Sequence, residues 1–242
     1  MSYGREYDDF ESYGYDGFAA DAAIDERRAF IQRTYAHVFG AILAFVGLEA
    51  ILLSVVDRMT ILGMFGGMWP LVFIGFMIVS WLAGKWANSD TSQSTQYLGL
   101  GLYVLAEAVI FMPLLVIASD PQFGGTSSVI PTAGFLTLLI FGGLTAVVML
   151  TKKDFSFLGN ILWLASLGVL GLIVVSFFTP LSLGIWFAVG MIVLMSGYIL
   201  YDTSNILHHY RTTQHVAASL ALFASVATLF WYVLYFVMAR DD

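Results

Sequence analysis

A chain of 242 residues that is 59% hydrophobic and only 11% charged is too apolar for a soluble fold, whose interior could not enclose that share of its side chains. The net charge of −7 argues against nucleic-acid binding, and the absence of cysteine excludes disulfides, thiol catalysis and thiolate metal sites. The partner these numbers imply is the lipid bilayer.

The first 29 residues contain no basic stretch followed by an apolar run, so no cleavable signal peptide is expected. They are acidic, rich in Tyr, Gly and Asp and short of aliphatics, the composition of a disordered cytosolic leader. Beyond them the apolar runs predict seven transmembrane helices, over residues 30–56, 64–87, 96–119, 131–150, 157–178, 182–207 and 216–238. The connections are short and polar. Residues 30–242 therefore read as a single all-α seven-transmembrane-helix bundle, with no separate soluble domain.

With the N-terminus in the cytoplasm, Arg5, Arg27, Arg28, Arg33, Lys85, Lys152, Lys153 and Arg211 fall inside and only Arg58 and Arg240 fall outside. Gly63 with Gly67, and Gly142 with Ala146, have the small-xxx-small spacing that lets helices approach closely. The twenty phenylalanines and six tryptophans read as lipid-facing and interfacial residues, with Trp69, Trp86 and Trp186 near predicted helix ends.

Three acids lie within the predicted crossings: Glu49, Glu107 and Asp202. An unpaired carboxylate there costs about 3 kcal/mol on insertion scales, so each needs a compensating neighbour, a proton or water. Counting along the helices puts Asp202 near the cytoplasmic face at the depth of Lys85, Glu107 near mid-membrane and Glu49 nearer the outer face. An Asp202–Lys85 ion pair follows as a candidate latch. Burial favours the neutral form of an acid and a nearby cation favours its charged form, so such a latch would respond to pH. Tyr198 and Asn205, one turn to either side of Asp202, extend a polar stripe. Glu107 and Glu49 would continue it as steps for a cation.

The run YILYDTSNILHH at residues 198–209 resembles the signature near the end of the sixth helix of the Bax inhibitor (TMBIM) family. TKKDFSFLGNIL at residues 151–162 looks like that family's basic loop and the start of its fifth helix, especially in the YccA-like bacterial branch, and Pro113 in the third helix also fits. The resemblance implies a seven-helix bundle with the sixth or seventh helix central, and a pH-sensitive leak for Ca²⁺ or other cations. It implies an aspartate pair on the last two helices as the pH sensor, with a basic residue at the end of the second helix as latch. Asp202 matches the first aspartate and Lys85 the basic residue, but Ser225 stands where the second acid would be. Ser225, Thr228 and Tyr232 would offer neutral oxygens in its place. The YccA-like branch further implies a partnership with the membrane AAA protease FtsH, as substrate and modulator, with the leader as the segment gripped.

Enzyme classes are the least favoured. Ser196-Gly197 lacks a plausible histidine partner for rhomboid-type proteolysis, Tyr201-Asp202 lacks the second aspartyl motif, and the last helix has no Schiff-base lysine. His208, His209 and His215 lack metal-ligand spacing and read as interfacial polar residues, while His37 has no evident partner. No cofactor is implied.

Overall fold

The computed structural model describes residues 17–63, 68–89, 92–123, 125–179 and 183–241. Eight α-helices follow in order among them: α1 (Ile24–Val55), α2 (Arg58–Gly63), α3 (Trp69–Ala87), α4 (Gln93–Ser119), α5 (Val129–Thr151), α6 (Leu158–Phe178), α7 (Ile185–His208) and α8 (His215–Asp241). All but α2 are long and apolar enough to cross a membrane. The seven expected crossings are all present, and the short α2 is an addition, filling the turn between the first two.

Local chemistry accounts for the helix limits. Ser92 accepts a hydrogen bond from the Thr95 N–H as the N-cap of α4, and Pro70 occupies the first turn of α3, where its missing donor costs nothing. Lys152 ends α5 in the left-handed conformation, φ 54°, its N–H returned to the Val148 carbonyl.

Contacts between loops and helix ends define two ends of the bundle. At one end the Arg27 guanidinium donates to the Leu207 carbonyl of α7, and Tyr97 on α4 reaches His215 at the start of α8. The α5–α6 loop joins this end, where the Phe155 N–H donates to Ser204 of α7. At the other end Arg58 of α2 forms an ion pair with the buried Asp120, just past α4.

The leader needs a correction to its expected extent. Helix α1 begins at Ile24 rather than at residue 30, and Phe18 makes an antiparallel bridge with Arg211 while the Ala19 N–H donates to the Tyr210 carbonyl. Residues 17–29 are thus a docked segment and the first turns of α1. The remainder of the expected disordered leader, residues 1–16, lies outside the described residues.

Helix α8 is the centre of the bundle, packed against α7, α5, α1, α4 and α3. Its first half is rich in small residues, among them Ala217, Ala218, Ser219, Ala224, Ser225 and Ala227, so neighbours close on it around its bulkier Leu222 and Phe223. Ser219 shows how near they come, its hydroxyl donating to the Thr34 carbonyl of α1. In contrast only 6% of the apolar window of α6 is buried, against 67% for α4, so α6 lies at the periphery and packs chiefly on α7.

The glycine and aromatic expectations are both revised. Gly63 and Gly142 have nothing near the position of an added Cβ, and Gly67 lies outside the described residues. The close approaches are elsewhere, at Gly99 against the backbone of Ala83 and Ala87, and at Gly159 against the Tyr201 ring. Many aromatics belong to the core instead of the lipid face. Phe111 stacks on Phe230 with centroids 5.7 Å apart and presents an edge contact to Trp231 at 4.9 Å, and Trp69 stacks on Trp231.

Candidate functional site

The two segments that carried the family resemblance pack on each other. Asp154 accepts from the Ser204 hydroxyl at 3.1 Å, Gly159 leaves room for Tyr201, and Gly197 leaves room for Leu162. Their pairing fixes the end of α7, and with it the position of Asp202.

The Ser156 backbone N–H, with further help from the Ser156 and Ser204 hydroxyls and His209, holds the Asp154 carboxyl below its ordinary value of 3.8. A depressed folded-state pKa stabilises the fold above the unfolded value and stops doing so as pH falls through the folded one. The Asp154→Asn variant is therefore expected to unfold at a lower temperature than wild type between pH 5 and 7, with the gap closing below about pH 3.8. Thermal unfolding of both proteins across that range in detergent is the check.

Asp202 is buried, and its Oδ2 accepts a hydrogen bond from the Ser225 hydroxyl of α8 at 2.6 Å. The serine at the position where the resemblance implied a second acid therefore lies directly against Asp202. The hydroxyls of Tyr35 on α1, Thr145 on α5 and Thr203 on α7 are buried nearby and face one another. Tyr210 closes the site from the α7–α8 loop. Burial first, then the Asp202 and Tyr201 charges, push its phenol above the ordinary value, so it remains a donor.

Lys85 does not complete the expected latch. Its ammonium lies over the Trp81 ring on the exposed side of α3, 5.5 Å from the centroid, and among the described residues it makes no ion pair with Asp202. Depth along the membrane matched, but α3 packs mainly on α4 and turns its last basic residue outward. Tyr198 also leaves the expected path, because its hydroxyl pairs with Ser166 of α6 at 2.9 Å and ties that peripheral helix to α7.

The remaining acids have separate surroundings. Glu107 lines a cavity of about 470 Å³ with Thr228 and Tyr232 of α8, and the Tyr103 hydroxyl one turn back on α4 is within its hydrogen-bonding reach. Thr228 follows Ser225 by one turn, about 4.5 Å along α8, so this helix carries hydroxyls from the Asp202 contact to the Glu107 cavity. Glu49 continues the core-facing stripe of Thr34, Val38, Ala41 and Phe45 on α1, and both its oxygens are buried without a hydrogen-bond partner among the described residues. It is thus an interior group, although it does not line that cavity.

Sequence reasoning missed one cluster. The rings of His37 and His215 are 5.1 Å apart, and the Tyr97 hydroxyl meets His215 Nε2 at 3.2 Å. Residues 37, 97 and 215 belong to three helices, and nothing in their local patterns announced the meeting. Ser196, by comparison, donates its hydroxyl to the Ile192 carbonyl of its own helix.

Comparison with known proteins adds a family. The profile described as "Inhibitor of apoptosis-promoting Bax1" matches residues 27–242. The chain is 31% identical to "Modulator of FtsH protease YccA" of Escherichia coli K12 over 163 residues, 66% of this chain and 70% of that protein. The same figures hold for "Inner membrane protein YccA" of Escherichia coli O6:H1. It is 35% identical to Bax inhibitor 1 of Schizosaccharomyces pombe over 107 residues, which span 43% of this chain and 40% of the yeast protein. With nearly every crossing under one family profile, and with the two signature segments docked around Asp202, the chain is a multi-pass membrane protein that belongs to the Bax inhibitor family.

Proposed function

We propose that this protein is a pH-responsive leak for Ca²⁺ and other cations in a bacterial inner membrane, with its N-terminus in the cytoplasm and protonation of Asp202 as its gate. The reading is carried by the 2.6 Å hydrogen bond from Ser225 to the buried Asp202 carboxyl, which joins α8 to the helix beside it. A hydroxyl bonds an ionised carboxylate about twice as strongly as a neutral acid, so a proton on Asp202 weakens the joint between α7 and α8. The hydroxyls of Ser225 and Thr228 then lead from Asp202 toward Glu107. One carboxylate with neutral oxygens falls well short of the six to eight ligands that tight Ca²⁺ binding uses, which suits transit better than storage. The orientation is supported by the eight-to-two distribution of basic residues.

Purified protein in liposomes is expected to pass Ca²⁺ at a rate that changes with pH. Asp202→Asn should abolish that change, and Glu107→Gln should lower the rate at every pH. An Asp202→Asn profile superimposable on wild type would refute the gate.

A second reading has its own support. The E. coli relative is named as a modulator of FtsH, and here residues 18 and 19 are pinned to the α7–α8 loop, so a protease pulling on the leader would load the end of α7 directly. In this reading the protein is a substrate or modulator of a membrane AAA protease. Crosslinking to that protease should then depend on residues 1–16, and a chain lacking them should keep its flux while losing the contact.

A further inference from the structure

The cavity beside Glu107 has a chemistry that an inorganic cation path does not require. It lies between α3, α4, α6, α7 and α8, and its volume of about 470 Å³ falls in the range of small-molecule sites, ~300–1,000 Å³. Half of its lining is aromatic, including Trp69, Phe73, Phe111, Phe187, Trp231 and Tyr232. These rings are held by one another. Trp69 stacks on Trp231 with 20° between planes, Phe111 meets Trp231 edge-on, and Phe187 meets Tyr232 edge-on at 5.8 Å. Glu107, 3% exposed, is the one carboxylate among the described residues of the lining, and none of these is Lys, Arg or His.

We propose that this chamber binds a lipophilic organic cation, with the aromatic faces as its cage and Glu107 as its counter-ion. Ring faces carry the negative end of the aromatic quadrupole and attract cations that shed water easily, such as quaternary ammonium or phosphonium groups. A resident metal ion, as opposed to one in transit, is poorly served by such walls, because it exchanges its hydration shell for oxygens and the lining supplies only Glu107, a few hydroxyls and backbone. An anionic lipid or fatty acid would place a second negative charge against a buried carboxyl. A neutral acyl chain would fill the volume yet make no use of the ring faces or of the Glu107 carboxyl. The cation alone satisfies both the rings and the acid. This site is separate from the Asp202–Ser225 contact and its test reads binding, not flux, so its failure would leave the proposed gate standing.

The probe pair is tetraphenylphosphonium and tetraphenylborate, nearly identical in shape and opposite in charge. Binding to the full-length protein in detergent is measured by equilibrium dialysis, with quenching of tryptophan fluorescence as a second readout. Tetraphenylphosphonium is expected to bind saturably and at least 10-fold more tightly than tetraphenylborate. Glu107→Gln should cut that preference to less than 3-fold, Glu107→Asp should retain most of it, and Trp231→Leu should weaken the cation at least 5-fold. Equal binding of the two ions by wild type would overturn the proposal without recourse to any variant, and would identify the chamber as a nonspecific acyl-chain pocket. Unchanged cation affinity in a monodisperse Glu107→Gln protein would overturn it too.

Discussion

Replacing Ser225 with alanine is expected to destabilise the bundle by roughly 1–3 kcal/mol, the usual cost of stripping a buried polar group of its hydrogen-bond partner. The Ser225 hydroxyl donates to a carboxyl oxygen on a neighbouring helix, both groups are buried, and the central position of α8 leaves little room for water to replace the donor. Chemical unfolding in mixed micelles, followed by helical circular dichroism, gives the difference directly. The converse change, Ser225→Asp, sets two carboxyls at hydrogen-bond distance, where both cannot readily be ionised at once unless a cation or proton lies between them. That variant should raise Ca²⁺ selectivity over K⁺ in liposome flux relative to wild type. If Ser225→Ala is as stable as wild type, the α7–α8 contact is not the joint on which the proposed gate depends.

A methyl group added at Gly99 is expected to do comparable or greater damage for a purely steric reason. Its Cβ would lie 2.6 Å from both the Ala83 carbonyl oxygen and the Ala87 backbone nitrogen. These are backbone atoms within α3, so relief requires α3 and α4 to separate along one of the most extensive helix contacts in the fold. Overpacking of this kind costs about 1–3 kcal/mol and sometimes more. Gly101, two residues on, has nothing within 4 Å of an added Cβ and is exposed. Gly101→Ala should be neutral or stabilising by up to about 1 kcal/mol, through the better helix propensity of alanine. Thermal denaturation of the pair in the same detergent separates the effects. Equal stability of the two variants would contradict the close α3–α4 approach.

Gly197 falls between these cases. Its added Cβ would meet only the tip of the Leu162 side chain, 2.8 Å away, which can rotate aside. Three glycines of one helical membrane protein thus differ through what faces them, which spacing along the chain does not reveal. Gly142 had the expected interface spacing with Ala146 and faces no close neighbour, whereas Gly99 sits in a less regular pattern and holds two helices together.

The crossings, their order and the membrane setting were determined by the sequence alone. A span is a one-dimensional property, some twenty apolar residues between polar breaks, and each of the seven was recoverable from composition along the chain. Three of the buried acids, Glu49, Glu107 and Asp202, were equally plain, because a carboxyl inside such a run stands out against its neighbours, whereas the buried Asp120 lies past the end of its run and was not. Their partners were decided only by the tertiary structure. Asp202 meets Ser225 rather than Lys85, although counting along the helices set Lys85 at its depth, because pairing also depends on which helices are adjacent and how each is rotated about its axis. The same holds for Phe111, Trp69 and Trp231, which pack inside although their composition suited the lipid face. In a bilayer the solvent is as apolar as the core, so hydrophobicity no longer separates outside from inside, and the azimuth of each helix is set by packing and polar contacts instead.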